Sequence, residues 1–231
     1  MAENTQLNAD MSRRVAIDTA AMAWQPSPSP GVWRMRLELI GGPETGRVTS
    51  LVRYEADSQF PAHPHPDGEE ILVLDGVFSD QHGGFPAGSF LLNPDGVRHA
   101  PGSVAGCVLF VKLRRHPGTD RHRAAIDTAA LDWQKAERPG IWTKPLYGAP
   151  PYPETMALMR MEAGAGRPAR DIPGGEEMLV IEGTLEDAHG HYGAGSWIRE
   201  PGPQRGAMSS PDGCVLCVKS GRLCGDGGET R

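Results

Sequence analysis

The sequence predicts an all-β fold, and three observations carry that expectation. Thirty glycines and 21 prolines make up more than a fifth of the 231 residues, against an average usage of roughly 12% for the two together. Short apolar runs alternate with turn residues about every ten positions, the spacing of short strands. The pattern also occurs twice. A chain so rich in turn formers cannot be mostly helical, and a sandwich or barrel of many short strands is the class that remains.

The repeat is read directly from the letters. Ala16-Ile17-Asp18-Thr19-Ala20-Ala21 returns as Ala125-Ile126-Asp127-Thr128-Ala129-Ala130, Trp24-Gln25 as Trp133-Gln134, and Pro30-Gly31-Val32-Trp33 as Pro139-Gly140-Ile141-Trp142, all at an offset of 109. Glu69-Glu70-Ile71-Leu72-Val73 returns as Glu176-Glu177-Met178-Leu179-Val180, and Gly106-Cys107-Val108-Leu109 as Gly213-Cys214-Val215-Leu216, at an offset of 107. The copies therefore differ by two residues somewhere between Trp142 and Glu176. Within the first copy, residues 48–54 read as a β-branched strand. The apolar run 71–74 closes at the turn dipeptide Asp75-Gly76. Val77-Phe78 leads to His82-Gly83-Gly84, residues 88–92 stop at Asn93-Pro94-Asp95-Gly96, and 107–113 close the copy. The polar stretch that follows carries Pro117-Gly118 and reads as a link. The expected division is a first domain over 1–114, a linker over 115–123 and a second domain over 124–231.

Composition excludes several classes. A formal charge of −6 with no Lys/Arg-rich run is not the footprint of a nucleic-acid binder. No window approaches 18 consecutive apolar residues, so no transmembrane helix is expected, and the N-terminus does not read as a signal peptide. Four cysteines, Cys107, Cys214, Cys217 and Cys224, do not make a disulfide scaffold, and a reduced, cytoplasmic location is expected.

The chemistry concentrates in His63-Pro64-His65-Pro66-Asp67-Gly68-Glu69. Residues two apart on a strand share a face, so His63 and His65 can aim two imidazoles at one point. Glu69 has the same parity and lies beyond the Pro66-Asp67-Gly68 bend. His99 follows the Pro94-x-Gly96 turn and fits a fourth ligand from a neighbouring strand. Three imidazoles and a carboxylate suit zinc, iron(II), nickel or manganese and do not select among them. The full spacing, His63-x-His65-x3-Glu69-x6-Gly76 and Gly88-x5-Pro94-x-Gly96-x2-His99, resembles the two signature motifs of the cupin superfamily. It departs from them at Asp57, where a glycine is usual, and at Ser103, where an asparagine is usual. The segments 7–10, 24–28, 68–80 and 93–101 are similar to the cupin domain of ChrR-type anti-sigma factors. That likeness covers most of residues 7–115 and, more weakly, the second copy. It implies two tandem double-stranded β-helix (jelly-roll) barrels, with zinc held through His63, His65, Glu69 and His99. The helical sigma-binding domain of those regulators is not read before residue 16.

In the second copy the offsets place Arg170 at His63, Ile172 at His65 and Gly206 at His99, while Glu176 keeps the carboxylate. The expected readings are a metal-free pocket, a partner surface, or a structural mate of the first barrel, with an Arg170–Glu176 ion pair filling the old site. Cys107, Cys214 and Cys217 read as core thiols. His82, His116, His122, His189 and His191 read as exposed turn residues. The recurring Trp24, Trp33, Trp133 and Trp142 read as packing anchors.

Two functions share the ligand set. A zinc-binding sensor or small-molecule-binding module would need a regulatory partner for any output. The alternative is a metal-dependent, Fe(II)-type dioxygenase, in which the same ligands leave open positions for a small organic substrate and O2, with no separate catalytic base evident. The chain is expected as a monomer or homodimer with no nucleic-acid or membrane partner.

Overall fold

The computed structural model describes residues 6–42, 44–116, 121–148, 152, 154–221 and 223. The link turn Pro117-Gly118 and Cys224 lie outside the described residues. Among the described residues the fold is all-β, broken only by two 3-10 turns, Thr19–Ala21 and Thr128–Ala130. Among the described residues no helix is long and apolar enough to cross a membrane.

The chain forms two compact units, Met1–Ala9 with Met22–Leu131 and Asp10–Ala21 with Asp132–Arg231. These units cut across the sequence repeat. The strand Ala124–Asp127, at the start of the second copy, pairs antiparallel with Ser89–Asn93 of unit 1. Val15–Asp18, at the start of the first copy, pairs with Ser196–Glu200 of unit 2. The 3-10 turn after each strand is pinned by its threonine: Thr128 Oγ1 donates to the Gly88 carbonyl at 2.6 Å and Thr19 Oγ1 to the Gly195 carbonyl at 2.8 Å.

Unit 1 is built on an antiparallel sheet. It runs from Ala124–Asp127 through Ser89–Asn93, Glu69–Asp80, Cys107–Leu113, Arg47–Tyr54 and Val32–Ile40 to Gln25–Pro26. The run expected to stop at Asp75-Gly76 does not stop. Glu69–Asp80 is one 12-residue strand whose first half pairs with Ser89–Asn93 and whose second half pairs with Gly83–Pro86. Gly76 is the corner rather than a turn. Its φ is 71°, and a Cβ there would collide with the Gly106 carbonyl oxygen, so only glycine lets the two backbones approach. Gly183 repeats this at φ 74° against Gly213. The apolar run of the long strand is buried on both faces, and the successive residues Ile71, Leu72 and Val73 are at most 2% exposed. Around them Val52, Phe78, Leu91, Leu109 and Val111 close the core, each such side chain contributing about 1.5–3 kcal/mol by leaving water. Unit 2 has the same order with Met178, Val180, Leu185, Ile198 and Leu216 in the equivalent places. Cys107, Cys214 and Cys217 are buried, as core positions require.

Candidate metal centre

The Pro66-Asp67-Gly68 bend turns through two consecutive left-handed residues, Asp67 at φ 56° and Gly68 at φ 77°. That reversal carries the chain from the short strand His63–Pro64 into Glu69–Asp80. Arg98–His99 pairs with His63–Pro64, and His99 lies directly opposite His63 in the register. Cross-strand partners stand close enough for their side chains to meet. The ring centroids of His63 and His65 are 4.6 Å apart, those of His65 and His99 4.6 Å, and those of His63 and His99 5.7 Å. Asp57, where the motif favours glycine, adopts the left-handed conformation a glycine would take, at φ 57°; a short aspartate tolerates it. Ser103 is buried and donates to the Val77 carbonyl at 2.6 Å.

One potential ligand atom from each of His63, His65 and His99 lies within 4.8 Å of the others, so the triad can hold a metal ion. The Nε2 atoms of His65 and His99 face each other at 2.8 Å, close to the roughly 3 Å that separates adjacent nitrogens bound to one ion at ~2.0–2.1 Å. Glu69 borders the triad, its carboxylate 3.4 Å from His99 Nε2 and 3.6 Å from His65 Nδ1. Outer partners hold three of the four groups. His63 Nδ1–H donates to the Pro61 carbonyl at 2.7 Å, and His99 Nδ1–H to Asp80 Oδ2 at 3.3 Å. Asn93 Nδ2 donates to Glu69 Oε2 at 3.0 Å. Such outer partners set the tautomer and leave Nε2 of His63 and His99 with its lone pair turned inward.

The electrostatics also fit a cation. Burial, with smaller contributions from His99 and His63, pushes His65 down to about 3. Burial lowers His99 too, against an opposing pull from Asp80. Burial pushes Glu69 up to about 8, opposed only by the Asn93 hydrogen bond. The lowered His65 and His99 imidazoles and a buried carboxyl that gains nothing from a neighbouring cation form a donor set short of positive charge, which a divalent ion would supply. The triad and Glu69 line a cavity of about 90 Å³, together with apolar side chains that include Val52, Ile71, Phe78 and Val111.

Residue chemistry alone had not singled out Asp80, Asn93 or Arg123. Arg123 Nε donates to Asn93 Oδ1 at 3.3 Å, and its guanidinium lies 3.7 Å from Asp80. It thus touches both groups that orient the ligands. The signal was present in the repeat, since Arg123 returns Arg14 at the offset of 109 and Asp80 is returned as Asp187. His116 corrects the sequence reading: it is 1% exposed, and Nε2–H donates to Glu70 Oε1 at 2.7 Å. It caps a buried carboxylate rather than a turn. His82, His122, His189 and His191 are exposed as expected. Trp24 and Trp33 flank Arg53 at 4.8 and 5.7 Å, and Trp133 and Trp142 flank Arg160 at 4.8 and 5.4 Å. None of the four lines the cavity.

In unit 2 the equivalent space is filled by guanidinium groups. Glu176 is fully buried; its oxygens accept from Arg167 at 2.5 Å and Arg170 at 2.8 Å, with Arg205 Nε at 3.5 Å. Arg205 continues to Glu200 at 3.0 Å and Asp187 at 3.3 Å, and Arg14 pairs with the same two carboxylates. The expected Arg170–Glu176 pair is present, but it is one of three. Among the described residues, no His/Cys/Asp/Glu group of unit 2 forms a second metal cluster.

The fold is shared with solved proteins at low identity. A candidate dioxygenase from Nostoc punctiforme superposes with TM-score 0.75 at 16% identity, covering 92% of this chain and 84% of that one. A pirin of Escherichia coli in complex with nickel(II) gives 0.65 at 14%, covering 90% and 98%. An oxalate decarboxylase mutant from Bacillus subtilis gives 0.62 at 12%, covering 89% and 76%. Among curated proteins no sequence matches. A sequence model of the ChrR Cupin-like domain matches residues 12–117 and again 121–224. With both of its halves matched, the chain belongs to the ChrR cupin-like family as a bicupin.

Proposed function

We propose that unit 1 is a metal-dependent small-molecule-binding centre, with one divalent ion held by His63, His65, Glu69 and His99. The observation that carries this reading is the position of the triad on the wall of an apolar cavity inside the barrel. A bound ion there would supply Lewis acidity to a ligand in the cavity and, if it were iron, an electron source as well. The chain's own contribution is orientation and shielding. Pro61, Asp80 and Asn93 hold the ligands, and Val52, Ile71, Phe78 and Val111 keep the cavity poor in water. Zinc, inferred from the ChrR-type likeness, makes this a sensor or binding module. A regulatory protein partner would then be needed for output. The cavity favours a second reading, an oxygenase acting on a small organic substrate, because a closed four-ligand site would have no use for it. The name of the Nostoc protein is compatible with that reading.

Metal content by mass spectrometry separates these readings, measured on untagged protein from metal-supplemented cells beside a His99→Ala control. One equivalent of zinc, lost in the variant, supports the binding module. One equivalent of iron, manganese or nickel supports the enzyme and directs O2-uptake assays with small diketones and phenolics. Protein that takes up no metal overturns both.

A further inference from the structure

The cavity has a second pole. Arg34 and Arg36, two residues apart on Val32–Ile40 and so on one face, line it together with the triad. Arg34 Nη1 donates to both oxygens of Glu44 at 3.0 and 3.2 Å, and Arg36 Nη2 donates to Oε1 at 3.2 Å. Glu44 sits on the connection after this strand, with its side chain 54% exposed. The Arg34 guanidinium carbon lies 5.7 Å from the Phe60 ring centroid, which is 5.0 Å from that of His63. Phe60 therefore stands between the cationic pole and the imidazoles.

The duplication separates these residues from the framework. Strand register places Val32 opposite Tyr54 in unit 1 and Ile141 opposite Met161 in unit 2. Counting along the two strands, Thr143 stands for Arg34 and Pro145 for Arg36, and Arg167 stands for Phe60 at the offset of 107. The neighbouring framework is kept: Trp33 donates to Glu55 and Trp142 to Glu162, both at 2.8 Å. The connection that carries Glu44 also differs. Glu38 pairs with Thr49 across ten intervening residues, whereas Tyr147 pairs with Met156 across eight. The two-residue difference between the copies thus lies in this hairpin. The arginine pair, the loop carboxylate and Phe60 occur together only in the unit that has the histidine triad.

We propose that this cavity binds a small organic acid, whose carboxylate docks on Arg34 and Arg36 in place of Glu44 while its body lies on Phe60 and its far end faces the triad. This names the ligand class for the metal-centre reading above and rests on it. A guanidinium fork matches a carboxylate with two parallel hydrogen bonds, and Glu44 shows that this pair accepts that group. Glu44 is displaceable because water competes for an exposed ion pair. Burial and the proximity of Arg34 push Arg36 down, with Glu44 only partly opposing, so an anion beside the pair offsets both effects. The cavity volume of about 90 Å³ limits the body to a few carbon atoms or one small ring.

Isothermal titration calorimetry tests this with butanoate and benzoate, their neutral isosteres butanamide and benzamide, and inorganic phosphate. Metal content is measured on the same samples, and metal-free protein is titrated alongside. At least one of the two acids is expected to bind saturably, with its amide about tenfold weaker or worse. Arg34→Gln, with an unchanged circular dichroism spectrum, is expected to weaken the acid by about tenfold or more. Glu44→Gln, which removes the internal competitor, is expected to tighten it. Equal binding of acid and amide, an unaffected Arg34→Gln variant, phosphate binding tighter than either acid, or no saturable acid binding would each overturn the carboxylate site. Failure of the metal reading shows separately, as protein without metal, and titration of that protein still decides whether Arg34 binds the acids.

Discussion

The two barrels keep one carboxylate at the same place and surround it differently. In unit 1, Glu69 faces two imidazoles and one amide, and burial raises it to about 8. In unit 2, burial would likewise raise Glu176, but Arg167, Arg170 and Arg205 outweigh burial and hold it below the ordinary carboxylate range. The same fold thus presents a donor set that calls for a cation, and a set whose cations are already covalently part of the chain. A duplicated barrel can lose a metal site without leaving a buried charge unpaired, provided that guanidinium groups arrive from several strands.

The sharpest way to break this comparison is to remove the shared carboxylate from each unit. Glu176→Gln leaves three arginines around an uncharged amide and is expected to cost about 3–5 kcal/mol in denaturant unfolding at neutral pH. Glu69→Gln in metal-free protein strands no charge and is expected to cost about 1–2 kcal/mol. The pH dependence follows from the sign. Because Glu176 is lowered in the folded state, its stabilisation is fully present above its ordinary value of 4.5. It is lost as the pH falls through the lowered folded value. The gap between wild type and Glu176→Gln should therefore close on acidification below pH 4.5, and a gap that widened there would contradict the assignment.

The matched arginines sharpen the comparison. Arg123 and Arg14 hold equivalent places, but Arg123 reaches the groups that orient the proposed metal ligands, whereas Arg14 reaches Asp187, Glu200 and the Tyr192 hydroxyl. Arg123→Gln is expected to weaken metal binding about 10- to 100-fold by competition with a chromophoric chelator. Arg14→Gln should leave metal affinity unchanged while lowering stability. Equal metal affinities would remove Arg123 from the positioning role. The smallest effect is expected at Arg170, whose side chain is 45% exposed and is one of three partners of Glu176. Arg170→Ala should cost about 1 kcal/mol or less by thermal unfolding. A larger loss would make this pair, rather than the buried Arg167 and Arg205, the anchor of the network.

Much of the fold and part of the site can be read from the letters. Exact recurrence of one hexapeptide, with shorter matches in register, shows the duplication, glycine and proline spacing shows the strands, and His63, His65, Glu69 and His99 stand at cupin spacing before any coordinates exist. Gly76 reads as a turn because a glycine after an aspartate usually makes one; only the approach of Gly106, thirty residues away, turns it into a corner within a continuous strand. His116 reads as a surface residue because its neighbours are polar, and its partner Glu70 is 46 residues distant.

Patterns of two and of turn spacing are local, and a chain that must bury apolar faces carries them in every short window; fold class, duplication and candidate ligands are therefore properties of the sequence by itself. Convergence is not local. Arg123 meets Asp80 and Asn93, and Arg205 and Arg167 meet Glu176, because antiparallel pairing brings distant residues across one barrel. The exchanged strands Val15–Asp18 and Ala124–Asp127 are a further case: their nearly identical sequences fit either sheet edge, so the pairing was settled by folding in three dimensions. A side chain's charge partner depends on which strands become neighbours, and that information exists only once the barrel has closed.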